Sequence, residues 1–420
     1  MPIILHLTWK SLMNRRATVI LTLLSIALST ALLLGVERVR TEARGSFANT
    51  ISGTDLVVGA RSGTVQLLLY SVFHIGNATN NISWESYQKL ASHPKVAWTI
   101  PLSLGDSHRG YRVLGTSTEF FQHYQYARRR NLEFAYGVPF NDLYDAVLGA
   151  EVAEKLGYQL GQDMVVSHGA GKVSFTKHTD KPFRVAGILK RTGTPVDRTV
   201  HVSLAAIEAI HIDWRSGAPL PGMNVSAEKT RNMDLTPRTV TAFLVGLKSR
   251  IAVFQVQRVI NDYAQEPLSA VLPGVALQEL WNMMGVAENA LLVVSWAVVL
   301  VGLTGMLTAI LASLNERRRE MAILRSIGAR PWQISLLLAG EASILATFGA
   351  LFGVCLLYGA ILAVRPIAET SFGLSLGIGL LTSHEWMLLG LVISAGLIVG
   401  IVPAWRAYRL SLADGMTIRI

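Results

Sequence analysis

The sequence predicts an α-helical membrane protein with four transmembrane helices plus an α/β (α+β) extracytoplasmic domain inserted between helices 1 and 2. Three observations carry this. Of 420 residues, 51% are hydrophobic and 16% charged, with a mean hydropathy of +0.39, too apolar for an ordinary soluble chain yet not apolar throughout. Four windows, 17–36, 290–314, 335–364 and 386–405, hold the roughly 20 apolar residues that a span requires. The first, second and fourth lack Asp, Glu, Lys and Arg, and the third holds only Glu341. Between the first two windows, residues 37–286 fall in hydropathy and are punctuated by Gly and Pro.

Charge sets the expected orientation. Lys10, Arg15 and Arg16 precede the first window, Arg317, Arg318, Arg319, Arg325 and Arg330 separate the second from the third, and Arg406 and Arg409 follow the fourth. The loop 365–385 has one Arg and two Glu. This positive-inside bias predicts cytoplasmic termini and a large domain on the outer side. The net charge of +10 is thus topological, and because its residues form no single solvated stripe, no nucleic-acid partner is expected. Cys355, the sole cysteine, lies inside the third window, which excludes an intramolecular disulfide framework and a cysteine metal site.

Residues 1–16 read as a cytoplasmic interfacial helix, with Leu5, Trp9 and Leu12 against His6 and Lys10. The run 17–36 is too long for a signal peptide and lacks a small-x-small site at its end, so it reads as an uncleaved anchor. In the inserted domain, Asp55–Gly59, Tyr111–Gly115, Ala146–Leu148, Met164–Val166, Phe183–Leu189 and Thr239–Leu247 are strand candidates. Helices are expected from Ser83 to Leu90, Thr118 to His123, Ala150 to Leu156 closed by Gly157, and Arg250 to Tyr263. Trp214 to Arg238, with three prolines, reads as an exposed or mobile insertion.

The segment 315–334 between the second and third windows reads as a short amphipathic cytoplasmic helix. Met321, Leu324 and Ile327 share one face, Ile323 and Ile327 add an i, i+4 contact, and the arginines occupy the other side with Glu316 and Glu320. Gly328 is suited to ending that helix in the left-handed conformation and Pro331 to opening the next. Gly349 and Gly353 in the third span, and Gly396 and Gly400 in the fourth, place small residues on one helix face, for packing either within the chain or against a second four-span copy.

These pieces together resemble the MacB-type, FtsX-like permease subunits of ABC transporters. The motifs NERRREMAILRSIGARPWQISLLLAGEASILATFGALFGV, WKSLMNRRATVILTLLSIALSTALLL, VLGAEVAEKLGYQLGQDMVV and FRVAGILKRTGTPVDRTVHVSL carry the likeness. The tail PAWRAYRLSLADGMTIRI is similar to the family's closing motif but has Leu412 where a proline is usual. The resemblance implies a half-transporter in the bacterial inner membrane with a periplasmic core domain. It implies a separate cytoplasmic ABC ATPase in two copies, carrying ATP and Mg, that docks on 315–334, and a second permease, identical or homologous. A periplasmic adaptor or outer-membrane channel is a further partner in this family. Export, lipoprotein or lipid extraction and mechanotransmission to the periplasm are the activities it allows.

The chain's own chemistry is sparse. Gly169-Ala170-Gly171-Lys172 is a poor phosphate loop, since Val166 stands where the first glycine belongs and Val173 where Ser or Thr belongs. No catalytic residue, cofactor or metal site is therefore assigned to the chain, and energy is expected from a partner. The arginine cluster reads either as a topogenic and lipid-binding patch or as an ATPase contact. Glu341 either faces the bundle interior as a relay or marks the membrane boundary. Eight of ten histidines fall between His74 and His211, but none are spaced as HxH or HxxxH, so solvent-exposed histidines are expected there rather than ligands. A membrane-anchored binding or sensory protein without transport activity is the competing class.

Overall fold

The computed structural model describes residues 13, 15–127, 129–169, 178–215, 218–219, 225–316, 318–372 and 378–409. The chain forms two compact units, one from 1–43 and 284–420 and one from 44–283. The interfacial helix expected over residues 1–16 and the tail from 410 lie almost wholly outside the described residues.

In the first unit, α1 (Arg16–Thr50) carries the chain across the boundary into the second. Its apolar stretch is followed by Glu37, Arg38 and Arg40, good helix formers that prolong the helix beyond the hydrophobic window. The other end of the insertion behaves likewise. There the helix that holds the second window runs Pro273–Glu316, so 17–36 and 290–314 mark the apolar parts of longer helices.

The second unit is built on an eleven-stranded sheet among the described residues. Its strands are β1 (Leu56–Ala60), β2 (Val96–His108), β3 (Tyr111–Thr116), β4 (Phe134–Gly137), β5 (Asp145–Leu148), β6 (Asp163–Met164), β7 (Ser167–His168), β8 (Phe183–Leu189), β9 (Thr199–Ser203), β10 (Ala242–Leu247) and β11 (Leu268–Val271). Their order is β11-β1-β10-β2-β3-β9-β5-β8-β4, with β7 paired to β2 and β6 to β8. The pairs β3/β9 and β5/β8 are parallel, and the rest are antiparallel. Both faces are covered. Val57 and Leu244 enter one core, while Leu56, Val58, Phe243 and Val245 enter another, as the two-residue strand period requires.

Two elements that the sequence reading leaves unassigned shape this unit. β2 contains Pro101 and Gly105, which read as breakers. Yet Pro101 pairs opposite Phe243, and Gly105 sits where the register with β3 shifts between Leu104 and Asp106, a bulge. The second is α2 (Leu204–His211), capped by Ser203, whose Oγ accepts from the Ala206 N–H at 3.0 Å. The expected Met164–Val166 strand resolves into β6 and β7, and the helix Ala150–Leu156 ends at Gly157 with φ +71°, as expected.

The first unit is completed by α3 (Pro273–Glu316), α4 (Arg318–Ser326), α5 (Pro331–Phe372) and α6 (Ser383–Arg409). Among the described residues, four helices, α1, α3, α5 and α6, are long and apolar enough to cross a membrane. They are hydrophobic all round: Ile26, Leu33, Met306, Leu338 and Val392 are buried in a shared core, while Leu28, Val293, Val301, Leu351 and Ile398 face outward. α5 continues to Phe372, through residues that the sequence reading gives to the loop 365–385, because Ala368 and Glu369 support a helix after the apolar run ends.

Candidate functional site

The segment between α3 and α5 is built by two local devices. The Ala329 N–H donates to the Leu324 carbonyl at 3.0 Å and the Gly328 N–H to the Arg325 carbonyl at 3.1 Å, with Gly328 at φ +105°: a Schellman ending of α4. The Arg330 N–H then donates to Gln333 Oε1 at 2.8 Å, half of a capping box, with Pro331 as the first residue of α5. The expected cytoplasmic coupling helix over 315–334 is therefore shorter: α4 covers 318–326, and the rest of that range belongs to α3, the turn and α5.

The apolar face also differs from expectation. Met321 packs on the bundle core and both it and Leu324 are half-buried. Ile323 and Ile327 are 56% and 80% exposed, and Trp332 at the start of α5 is 51% exposed. The face that helical spacing assigns to Met321 is satisfied inside the chain, and the Ile323/Ile327 pair carries the outward apolar surface. Glu320 is exposed and Arg325 half-buried. Arg317 and the side chains of Glu316, Arg318 and Arg319 lie outside the described residues.

The small-residue faces pack within the chain. A Cβ on Gly349 would stand 2.8 Å from Ile26, and one on Gly353 would stand 2.7 Å from the Ala27 carbonyl, so these glycines admit α1. A Cβ on Gly396 or Gly400 would meet the Ala346 or Ala342 Cβ at 2.4 Å, so that pair admits α5. Glu341 is 4% exposed and lines a cavity of about 30 Å³ with Arg15, Thr18, Thr22 and Ser313. The Glu341 side chain therefore lies in the bundle interior, beside space for about one water.

A buried ion pair in this unit escapes sequence inspection. Arg38 and Glu385 are 4% and 1% exposed and meet at 3.2 Å, and Arg38 Nη2 donates to the Gly379 carbonyl at 2.7 Å. Thr382 and Glu385 form a reciprocal capping box at the start of α6, through Thr382 N–H to Glu385 Oε2 at 2.6 Å and Glu385 N–H to Thr382 Oγ1 at 3.3 Å. The signal was present as Thr-x-x-Glu before an apolar run.

In the α/β unit the eight histidines are not exposed. Each is buried or half-buried, and four polar side chains converge: Asp106, His168, His178 and His211. Asp106 follows the Gly105 bulge of β2, His168 pairs opposite it on β7, His178 lies in a following coil and His211 ends α2. His168 Nδ1 and His211 Nε2 are 3.0 Å apart and lie 3.2 and 3.4 Å from Asp106 Oδ1. Burial disfavours the Asp106 carboxylate, but the two imidazoles outweigh it and bring its pKa down to about 2. Burial and the neighbouring His211 lower the His178 pKa to about 4. Trp214 covers the cluster, its ring centroid 4.5 Å from His178 and 5.0 Å from His168. The expected exposed insertion thus begins with a half-buried residue. Asp213 beside it is buried against Lys181 at 2.9 Å, because the histidine rings and this ion pair give the start of the insertion a polar interior to join. Of the phosphate-loop lookalike only Gly169 is described.

Two family models match the chain: MacB-like periplasmic core domain over residues 19–262 and FtsX-like permease C-terminal over residues 292–412. The macrolide export ATP-binding/permease protein MacB of Nitrobacter winogradskyi is 36% identical over 117 residues, 28% of this chain and 17% of that protein's length. Among solved structures, the periplasmic region of MacB from Actinobacillus actinomycetemcomitans is similar at 11% identity and TM-score 0.33, over 56% of this chain and 95% of that one. The extracellular domain of the noncanonic ABC-type transporter YknZ from Gram-positive bacteria is similar at 13% identity and TM-score 0.30, over 52% and 99%.

Proposed function

We propose a function from one premise: the chain belongs to the MacB/FtsX-type permease family. It is a membrane protein whose α/β unit is a periplasmic core domain. On this reading the chain is the permease subunit of an ABC transporter, with both termini in the cytoplasm of a bacterium and the core domain in the periplasm. A separate ATPase, in two copies with ATP and Mg, docks on α4 and the turn after it, and a second permease, identical or homologous, completes the assembly. Closure of the ATPases moves the spans and, through them, the periplasmic domain, for export, lipid or lipoprotein extraction or mechanotransmission. A periplasmic adaptor or outer-membrane channel would receive that motion.

The observation that carries the reading is the outward apolar pair Ile323 and Ile327 on a short helix in an arginine-rich segment between two candidate spans. Among the described residues no core cluster includes that pair, and basic residues beside it suit an acidic rim on a partner. The close packing of α1, α5 and α6 through glycine supports a bundle that moves as a body rather than by sliding of its helices.

The test is purification from native membranes. An ABC ATPase is expected to co-purify with the wild-type chain, and the double variant Ile323→Asp, Ile327→Asp is expected to lose it while still inserting in the membrane. Unchanged co-purification, or robust ATP hydrolysis by the purified chain alone, would overturn the reading.

A further inference from the structure

The fold builds the cluster of Asp106, His168, His178 and His211 from separated stretches of chain. We propose that these four side chains form a site for one divalent transition-metal cation of the zinc class. The inference stands independently of the permease reading.

Spacing is the first argument. A tetrahedral cation with bonds of about 2.0–2.2 Å holds its ligand atoms roughly 3.3–3.5 Å apart. His168 Nδ1, His211 Nε2 and Asp106 Oδ1 are already 3.0, 3.2 and 3.4 Å from one another, and one ligand atom from each of the four residues falls within 4.8 Å of the others. A hydrogen bond explains the His168–His211 contact, but it leaves the other two residues of the cluster unsatisfied. Among the described residues, Asp106 Oδ1 and His178 Nε2 are buried with no hydrogen-bond partner. Two buried polar atoms left so, on residues 2% and 1% exposed, are costly unless something else satisfies them.

Orientation is the second. His211 Nδ1 lies 2.9 Å from the Ile207 carbonyl, which can only accept, so the proton sits on Nδ1 and Nε2 presents its lone pair to the cluster. Ligating histidines are typically held this way. The Gly105 bulge turns Asp106 towards the same point, and the Trp214 ring shields it. Three imidazoles and one carboxylate suit zinc, cobalt, nickel or copper, and not calcium or magnesium, which require oxygen ligands. With every ligand supplied by the protein, the site is of the closed type that fixes structure: an ion would tie β2, β7 and the end of α2 together.

The experiment uses the full-length chain in detergent, free of any tag and stripped by chelator, titrated calorimetrically with zinc chloride. One zinc per chain is expected, with a thermal stabilisation that chelator reverses and no response to magnesium chloride. His178→Ala and His211→Ala should each weaken binding about 100-fold, and His93→Ala should leave it unchanged. No bound zinc in the wild type, or equal binding by the variants, would overturn the site. Should both alanine variants fail to fold, His168→Gln at the half-exposed edge decides. Cobalt chloride should give the wild type the intense visible bands of a tetrahedral centre, and His168→Gln should lose them. Cobalt bound without those bands, or with bands unchanged by His168→Gln, would refute the four-ligand assignment.

Discussion

In the membrane unit, most of the groups that matter are neighbours in the chain: Gly328 and Pro331 shape one turn, Gly349 and Gly353 one helix face, and Ile323 and Ile327 one exposed stripe. In the α/β unit they are strangers brought together, with Asp106, His168, His178 and His211 on four elements and Lys181 meeting Asp213. The contrast teaches where polar groups hold a fold. The bundle rests mostly on close contact of small and apolar residues, with the buried ion pair Arg38–Glu385. The α/β unit adds to its apolar cores a larger set of buried titratable groups whose charge states are tuned by burial and by one another.

Acidification should separate the two units most strongly. His74 and His201 are held neutral in the folded α/β unit, at about 4 and about 3, by burial first and then by Arg112 and His74 respectively. Their folded values lie below the ordinary 6.5, so the unfolded chain binds protons first as pH falls. The stabilisation is complete above about pH 6.5 and should decline towards pH 4, by about 3 kcal/mol for each histidine. Hydrogen exchange on the full-length protein should show deprotection confined to 44–283, and equal loss in the bundle would break the contrast.

Next in size, Asp213→Ala leaves Lys181 fully buried without its closest carboxylate and should cost about 3–5 kcal/mol in thermal unfolding of the same unit. Burial alone would raise the Asp213 pKa, but Lys181 lowers it, so the Asp213 carboxylate is charged at neutral pH. Replacing both together, Lys181→Met with Asp213→Leu, should recover most of the loss. A double variant as unstable as the single one would show that packing rather than charge holds this corner.

In the bundle, Gly400→Leu inserts a side chain where even a Cβ meets Ala342 at 2.4 Å, and should cost about 1–3 kcal/mol. The effect should appear as faster exchange in α5 and α6 and should not depend on pH between 7 and 5. Smallest is Gly328→Ala, which places a Cβ at φ +105° in an otherwise open space and should cost about 1 kcal/mol, read as a slight drop in thermal midpoint. If it instead abolished ATPase co-purification, the turn itself would be part of the docking surface.

Legibility follows the same division. The four spans could be read because about 20 apolar residues in succession have few other homes, and the α4 turn because Gly and Pro have few other uses there. β2 could not, since Pro101 and Gly105 look like breakers until Phe243 is seen opposite the first and a bulge at the second. The inward turn of Met321 depends on what the bundle offers it, which helical periodicity cannot state. The capping box at Thr382 and Glu385 could have been found from its spacing; the Arg38 that completes it could not.

By itself, then, the sequence determined the four-span architecture with its inserted α/β domain and the C-terminal end of α4, because hydropathy and backbone conformational preference act over a few successive residues. The tertiary structure alone decided which apolar side chains on α4 face outward, which helices the glycines admit and that three histidines and an aspartate meet at one point. Those outcomes depend on strand register, a bulge and helix packing between residues up to hundreds of positions apart, and no local spacing encodes them.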